Sequence, residues 1–346
     1  MNSKPVAAPR WIIIYDGKDI TAQIAPYVLQ VSYTDHLAGE PDDLDICCED
    51  RDGRWKDAWL PGEGDTIQLR FGYEGEPLRD AGNFTIDEME WNGAPDVISI
   101  KCVSAGITPN LRTRRSEGYE QITLRQIAMR IASRHGLTIV GTVPEITVSR
   151  ETQHQETDLG FLERLAGTWG YIFNVKGTQL IWHDQAALDS APATVIITRS
   201  GLAGRYTLRA KTSRVYKNCT VSYFNPKLKK EITHTFKANN IATGDTLRLV
   251  EHCENKSQAE RIAMAALRNA NGLQSEGTFP LYGNPGLVAG INVTLSGWGK
   301  LDGANYQATK ALHRIDRAGG YTTELETSMN GSHNMMNLKN NKAWVK

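Results

Sequence analysis

The sequence predicts an α+β protein that is mainly β, with two similar antiparallel β-barrel domains flanking a small α/β domain. Apolar and polar residues alternate between glycine-containing turns over residues 64–104 and again over 290–327, a pattern typical of antiparallel strands. These two stretches resemble each other, and two amphipathic segments of helical periodicity lie between them. Repetition of a unit within a chain determines its domain plan.

The two β-stretches align along their whole length. Placing Gly64 on Gly290 and Phe84 on Tyr306 leaves a gap of four residues in the first turn, because the two spacings are 20 and 16 residues. Each stretch then consists of three strands separated by two turns. The chain is therefore predicted to contain one β-module twice.

Residues 1–108 are predicted to form the first barrel, because further strands precede the first repeat and bring the total to at least six. The segment Asp50–Leu60 predicts a short helix or an anchored loop, since Trp55 and Trp59 have a spacing that places both rings on one side. The additional strands are predicted at Ile12–Tyr15, Tyr27–Thr34 and Leu44–Cys48.

Residues 109–190 are predicted to form the small α/β domain. Thr123–Arg134 and Thr157–Trp169 carry apolar residues at helical spacing. Thr123 can cap the first helix, and Thr157 or Asp158 can cap the second. A hairpin is expected over Tyr171–His183. The charged segment Arg112–Glu120 predicts an irregular connection.

Residues 191–327 are predicted to form the second barrel, with a helix at about 257–270. Ser257 followed by Glu260 indicates a capping box at the start of this helix. The tail, residues 328–346, is rich in Asn, Lys and Met without periodicity. We expect it to be poorly ordered alone and to become ordered against a partner.

The composition excludes several classes of protein. With 39 basic and 39 acidic residues in 346, no overall field favours nucleic acid or an anionic membrane. The apolar run Trp11–Tyr15 is too short for a signal peptide or a membrane span. Five cysteines without a CxxC pair indicate buried thiols in a protein made in a cytoplasm.

Several residues could carry chemistry, but none belongs to a recognisable constellation. His183-Asp184 lies beside a turn and is interpreted as having a capping or surface role, and His313 is interpreted as a structural imidazole. The sequence therefore predicts a protein that is not an enzyme and has no catalytic, cofactor-binding or metal-binding residues. The remaining candidates are Cys253 with His252, His154, and the turn Gly283–Gly286, which lacks the pattern of a phosphate loop.

An ordered set of local patterns spans roughly residues 10–327 and resembles a known family. The chain is similar to the late control protein D family, the hubs of contractile phage tails, and to the hubs of R-type bacteriocins and the hub part of type VI secretion spike proteins. The matching patterns are Asp42-Asp43, Gly82–Asp87, Gln155–Leu162, the alanine-rich helix after Ser257, and Tyr306 followed by His313 and Gly319-Gly320-Tyr321.

The resemblance implies a structural protein at the centre of the baseplate of a phage tail or phage-tail-like particle, assembled in the host bacterial cytoplasm. It implies a homotrimer with two tube-like barrels in each subunit, which together form a pseudo-sixfold ring. Such a ring would join the hexameric tail tube to the trimeric membrane-piercing spike. The tape-measure protein and other baseplate proteins are further partners implied. Nucleic-acid binding and direct membrane insertion are not expected.

Two other function classes remain open at this stage. A tail-tip peptidoglycan hydrolase would need a positioned acid, for which the α/β domain offers Glu151, Glu156, Asp158 and Glu163. A carbohydrate-binding tail-tip protein would need exposed rings, for which Trp55, Trp59, Trp91 and Trp298 are the candidates.

Overall fold

The computed structural model describes residues 8–329 except 63, 105, 107–110, 112, 212, 214, 226–228, 239–243, 252 and 273. The predicted class is confirmed, because the chain is mainly β with a large, mostly antiparallel sheet and several short helices. None of the helices in this part of the chain has the length and apolarity needed to cross a bilayer.

The first β-module contains seven strands and one helical turn, and a short 3-10 turn at Arg54–Lys56 follows its fourth strand. Trp55 in that turn is buried and meets the ring of Trp59 edge-on at 5.5 Å, which confirms the predicted anchoring. The elements are β1 (Pro9–Tyr15), β2 (Lys18–Asp19), α1 (Thr21–Ile24), β3 (Val28–His36), β4 (Asp43–Glu49), β5 (Thr66–Tyr73), β6 (Arg79–Asn92) and β7 (Val97–Ser104).

The α/β insert follows. Thr123 and Thr157 cap its two longer helices, as predicted. The segment predicted to be irregular is instead a strand that pairs with a second charged strand. It turns Tyr119 into the core, leaves Arg114 and Glu120 in solvent, and pairs the half-buried Glu117 with Arg134. The elements are β8 (Arg114–Thr123), α2 (Leu124–Arg134), β9 (Thr138–Gly141), β10 (Thr147–Thr157), α3 (Asp158–Trp169), β11 (Tyr171–Lys176), β12 (Gln179–Asp184) and α4 (Gln185–Ser190).

The remaining chain adds nine strands and the longest helix. The predicted tail begins inside the last strand and lies outside the described residues from 330 onward. The elements are β13 (Val195–Thr198), β14 (Thr207–Ala210), β15 (Tyr216–Asn225), β16 (Lys230–Lys237), β17 (Asp245–Val250), α5 (Lys256–Gly272), β18 (Ser275–Tyr282), β19 (Asn292–Ser296), β20 (Asn305–Asp316) and β21 (Gly320–Met329).

Helix α5 starts on a different cap from the predicted one. Asn255, not Ser257, accepts a hydrogen bond from the backbone N–H of Gln258 at 2.9 Å, and the Gln258 side chain accepts one from the N–H of Glu254 at 2.8 Å. The predicted Ser257 capping box is therefore wrong. An asparagine cap satisfies the same free N–H groups of the first turn.

The strands of both β-modules form one sheet of 13 strands. The first β-module has the spatial order β3-β4-β7-β6-β5-β1, and the second β-module has the order β14-β18-β21-β20-β19-β13. The two orders match strand for strand. They differ in that β1 runs antiparallel to β5, whereas β13 runs parallel to β19.

The repeat extends to the register of individual residues. Phe84 of β6 pairs with Ile67 on one side and Ser104 on the other. Tyr306 of β20 pairs with Val293 and Met329 in the same way. Both aromatic rings are fully buried. The predicted alignment of Phe84 on Tyr306 is therefore confirmed.

The two modules also share a β-bulge and a glycine. The register of β6 shifts between Ile86 and Glu88, and that of β20 shifts between Ala308 and Lys310. Gly64 donates its N–H to the Ile86 carbonyl, as Gly290 does to that of Ala308. The two glycines have φ of 84° and 90°, a region that favours glycine. The modules therefore share local irregularities that a β-sheet does not require.

The hydrophobic residues form three cores, one in each β-module and a third in the middle of the chain. The third core contains residues of the α/β insert together with β15–β17 and α5. Helix α5 packs on β15 and on α3, and Ile262 of α5 and Val221 of β15 are both buried in this core. Residues 216–272 thus share the core of the insert. The sequence had instead assigned them, as part of 191–327, to the second barrel. Closure of each β-module into a barrel stays a prediction.

Candidate functional site

The two β-modules meet where β20 pairs with β3. Strand β19 pairs with β20 only over Asn305–Gln307. The other half of β20, Lys310–Asp316, pairs antiparallel with Gln30–His36 of β3. We call this pairing the internal junction. It places β3, the end strand of the first β-module, against the half of β20 that β19 leaves unpaired in the second β-module.

A buried ion cluster connects the internal junction to the α/β insert. Asp35 is 2% exposed, bonds Lys176 of the insert through one oxygen, and accepts the Ala289 N–H at 3.0 Å through the other. Lys176 also lies 3.1 Å from Asp42. Burial raises the pKa of Asp42, and the charge of Lys176 opposes that rise. Both modules and the insert therefore contribute to one buried charge cluster, in which loss of a partner is costly.

His313 lies at the centre of the internal junction. Its Nε2–H donates to the Leu287 carbonyl at 2.9 Å, which leaves Nδ1 to accept from the Tyr321 hydroxyl at 2.8 Å. Its ring stacks on Tyr33 and lies 4.8 Å from that of Phe71. Burial lowers the pKa of His313 to about 4. The imidazole is thus a neutral structural group, as predicted.

The Gly283–Gly286 segment also belongs to this contact between modules. The Tyr73 hydroxyl donates to the Gly283 carbonyl at 2.7 Å, and Arg79 donates to the Pro285 carbonyl at 3.2 Å. A Cβ on Gly283 would lie 2.1 Å from the ring of Tyr321. The glycine is required for close packing, and the segment is a turn, as predicted.

Three of the four acidic residues considered for a hydrolase, Asp158, Glu156 and Glu151, lie beside arginine side chains. Asp158 is fully buried; burial alone would raise its pKa, but hydrogen bonds from His135, Gln153 and Arg134 lower it. Glu156 bonds Arg164 at 3.2 Å, and Glu151 approaches the same guanidinium at 4.0 Å. The lowered pKa of Asp158 is the opposite of what a general acid needs.

The remaining histidine and cysteine candidates also have structural surroundings. Asp184 caps α4 by accepting from the N–H of Ala186 at 2.8 Å, which confirms the predicted capping role. His154 is exposed, and His252 lies outside the described residues. Burial raises the pKa of the Cys253 thiol to about 11, the opposite of what a nucleophile requires. Over the described ranges, no group of three or more His, Cys, Asp or Glu could hold a metal ion.

Three of the four tryptophans considered for sugar binding pack inside the protein. Trp55 is 4% exposed, Trp59 packs against it, and Trp298 donates its indole N–H to the Ile197 carbonyl at 3.0 Å. Trp55 and Trp59 line an apolar cavity of about 270 Å³ at the end of the first β-module. Trp91 differs, because 40% of it is exposed.

Besides its ends at β2 and β13, the sheet has two further edges that sequence reasoning missed. Strand β14 is one end strand of the 13-stranded sheet. In β6, β5 pairs with residues up to Thr85, and Glu88–Asn92 pair with β7 alone. We call Glu88–Asn92 the β6 edge and Thr207–Lys211 the β14 edge. Within the described chain, neither edge has a strand on its outer side.

Comparison with known proteins gives a family match over most of the chain. The family model described as phage tail baseplate hub (GPD) matches residues 107–319. A probable baseplate hub protein of Escherichia phage 186 is 34% identical over 177 residues, 51% of this chain and 45% of the relative. One of Escherichia phage P2 is 30% identical over 261 residues, 74% of this chain and 66% of the relative. The matches thus span about half to two thirds of these relatives.

Solved structures show the same fold at low sequence identity. A tail protein from Neisseria meningitidis MC58 superposes with a TM-score of 0.70 at 12% identity, covering 94% of this chain and 98% of that one. An Escherichia coli component of the type VI secretion system, described as structurally similar to the T4 tail proteins gp27 and gp5, superposes with a TM-score of 0.52. It is 13% identical, with 88% of this chain and 73% of that one covered.

Proposed function

Because this chain belongs to the phage tail baseplate hub family, we propose that it is the structural hub at the centre of the baseplate of a contractile phage tail or phage-tail-like particle. The hub is a homotrimer that joins the hexameric tail tube to the trimeric membrane-piercing spike. It is assembled in the host bacterial cytoplasm and also meets the tape-measure protein and other baseplate proteins.

The observation that carries this proposal is the duplicated β-module. The two modules share strand order, register, a β-bulge and a glycine at the same positions. Three chains therefore carry six similar modules, which can stand around a threefold axis as an approximate sixfold ring. One face of such a ring matches a hexameric tube, and the opposite face can present threefold features to a spike.

We propose a domain plan that follows from this role. Residues 1–108 and 191–327 supply the two tube-like barrels, 109–190 supply the α/β domain, and 328–346 form a tail that contacts a partner. The segment 216–272 is the exception, because it shares the core of the α/β domain. The insert and this segment therefore form one body beside the ring, attached to it through Lys176 and its carboxylate partners.

The role is mechanical, and the hub family is a structural one. His313 and Asp158 make buried contacts within the fold, and the four buried cysteines have raised thiol pKa values. The free energy for penetration comes, on this account, from contraction of the sheath around the tube. This chain contributes binding surfaces and a fixed geometry.

Binding to both neighbours tests the proposal. The purified full chain is mixed with the tail tube protein and, separately, with the spike protein of the same particle, and the complexes are measured by size-exclusion chromatography with light scattering. We expect three chains of this protein for each spike trimer and a ring that retains tube protein. If neither protein binds, the proposed hub function is wrong.

A further inference from the structure

The repeat predicts a second strand pairing equivalent to the internal junction, and the strands that would form it are not paired with each other within this chain. Because β6 corresponds to β20 and β14 corresponds to β3 in the repeat, the β20·β3 pairing has a counterpart between β6 and β14. Within one chain these two edges are not paired with each other. We propose that the β6 edge of one chain pairs antiparallel with the β14 edge of the next chain. This inference rests on the proposed trimer and identifies the surfaces that close it.

The repeat fixes which residues of β6 would take part. Ile86 and Ala308 are the residues immediately before the shared bulge. Counting forward from them by the same number of residues, Glu88 corresponds to Lys310 and Trp91 corresponds to His313. At the internal junction, Lys310 pairs with His36 and His313 pairs with Tyr33.

The corresponding residues of β14 follow from the neighbouring strands. Tyr33 pairs with Leu44, Leu44 with Cys102, and Cys102 with Ile86. In the second β-module, Leu208 pairs with Gly277, Gly277 with Thr327, and Thr327 with Ala308. Leu208 therefore corresponds to Tyr33. The register between chains places Trp91 opposite Leu208, Glu90 opposite Arg209 and Glu88 opposite Lys211.

The charges on the two edges are complementary in this register. Glu88 and Glu90 share one lysine, Lys101, so the group carries two negative charges and one positive charge. On the β14 edge, Arg209 and Lys211 accompany one carboxylate, Glu276, which bonds Lys211 at 2.9 Å. The acidic edge and the basic edge each have one charge in excess, and opposite charges at facing positions stabilise a strand pair.

Trp91 provides a second, independent indication. It is 40% exposed, whereas His313 at the equivalent position is 2% exposed because the internal junction covers it. Leu208, opposite Trp91 in the inferred register, is half-buried against the core of the second β-module. Pairing of the edges would cover both side chains with an apolar contact of the kind seen at the internal junction.

The geometry of the junction explains how the ring closes. The internal junction joins two different surfaces, so repeating it between chains is a head-to-tail contact. Alternation of internal and inter-chain junctions around a threefold axis gives six junctions and leaves neither the β6 edge nor the β14 edge open. Open sheet edges otherwise promote unspecific association.

Cross-linking in a defined register tests the proposal. Glu90→Cys combined with Arg209→Cys places two thiols opposite each other, at a distance suited to a disulfide. Glu90→Cys combined with Thr207→Cys is the matched control, because the second thiol is displaced by two residues on the same face. Under mild oxidation we expect the first variant to form covalent trimers at least about fivefold faster than the control. Each single cysteine variant measures the background from native thiols.

Charge reversal provides a test without thiols. Glu88→Lys with Glu90→Lys should raise the dissociation constant of the trimer by at least about tenfold, since like charges then face each other. Adding Arg209→Glu and Lys211→Glu to the same chain should restore the wild-type value. Unchanged circular dichroism would show that the variants fold.

The possible outcomes separate this inference from the proposed function. A wild-type trimer with equal cross-linking in both double-cysteine variants, or with no response to charge reversal, would overturn the edge assignment and leave the hub trimer intact. A wild-type monomer would overturn both. Selective cross-linking of the first double-cysteine variant, together with a wild-type dissociation constant in the variant with all four charges reversed, would support the inferred register.

Discussion

His313 shows how a residue with catalytic potential becomes structural. Its ring fills a site between Tyr33 and Phe71, and both of its nitrogens have neutral partners. Among the residues that the structure describes, no carboxylate hydrogen-bonds the imidazole, so protonation would place a charge in the core at the contact between modules. The structural role of His313 could be predicted from its strand context, whereas its partner Leu287 could not, because the contact depends on long-range folding.

The stability of the protein should depend on pH through His313. Its folded-state pKa is about 4 and lies below the ordinary value of 6.5, so its contribution is fully present above pH 6.5 and is lost as pH falls towards 4. The shift corresponds to at most about 3 kcal/mol of unfolding free energy. Denaturant unfolding at pH 7 and pH 4.5 should show a smaller difference for His313→Gln than for the wild type. Equal differences would contradict this account.

At the scale of elements, sequence periodicity predicted most helices and the strands of the repeat. It failed where pairing is non-local. Strand β8 was predicted to be irregular because its charged residues hide a two-residue alternation, and it is stabilised by β10. The segment β15–β17 follows the insert in sequence and shares its core through α5, which no local pattern specifies.

Helix α5 offers a direct test of the corrected cap. Asn255→Ala removes the acceptor for the Gln258 N–H and should reduce the unfolding free energy by about 1 kcal/mol. Ser257→Ala changes the predicted but unused cap, and its effect should stay within about 0.5 kcal/mol. Thermal and denaturant unfolding of both variants measures the difference. A larger loss in Ser257→Ala would restore the original prediction.

At the scale of the whole molecule, the duplicated β-module connects sequence to function. The alignment of Phe84 on Tyr306 was visible in the sequence, but the shared bulge, the common strand order and the internal junction required the structure. The two open edges were also invisible in sequence, since an edge is defined by the strand that is missing beside it. Residues such as Trp91 and Arg209 acquire a role only when the repeat is followed in three dimensions.

The most direct test of the account is the mass of the purified protein in solution, measured by light scattering or native mass spectrometry over a range of concentrations. A threefold ring requires a species of three chains, each of 38.4 kDa, because three duplicated chains are needed for six similar modules. A protein that stays monomeric, or that forms a stable dimer, would contradict the threefold ring and the hub function proposed from it.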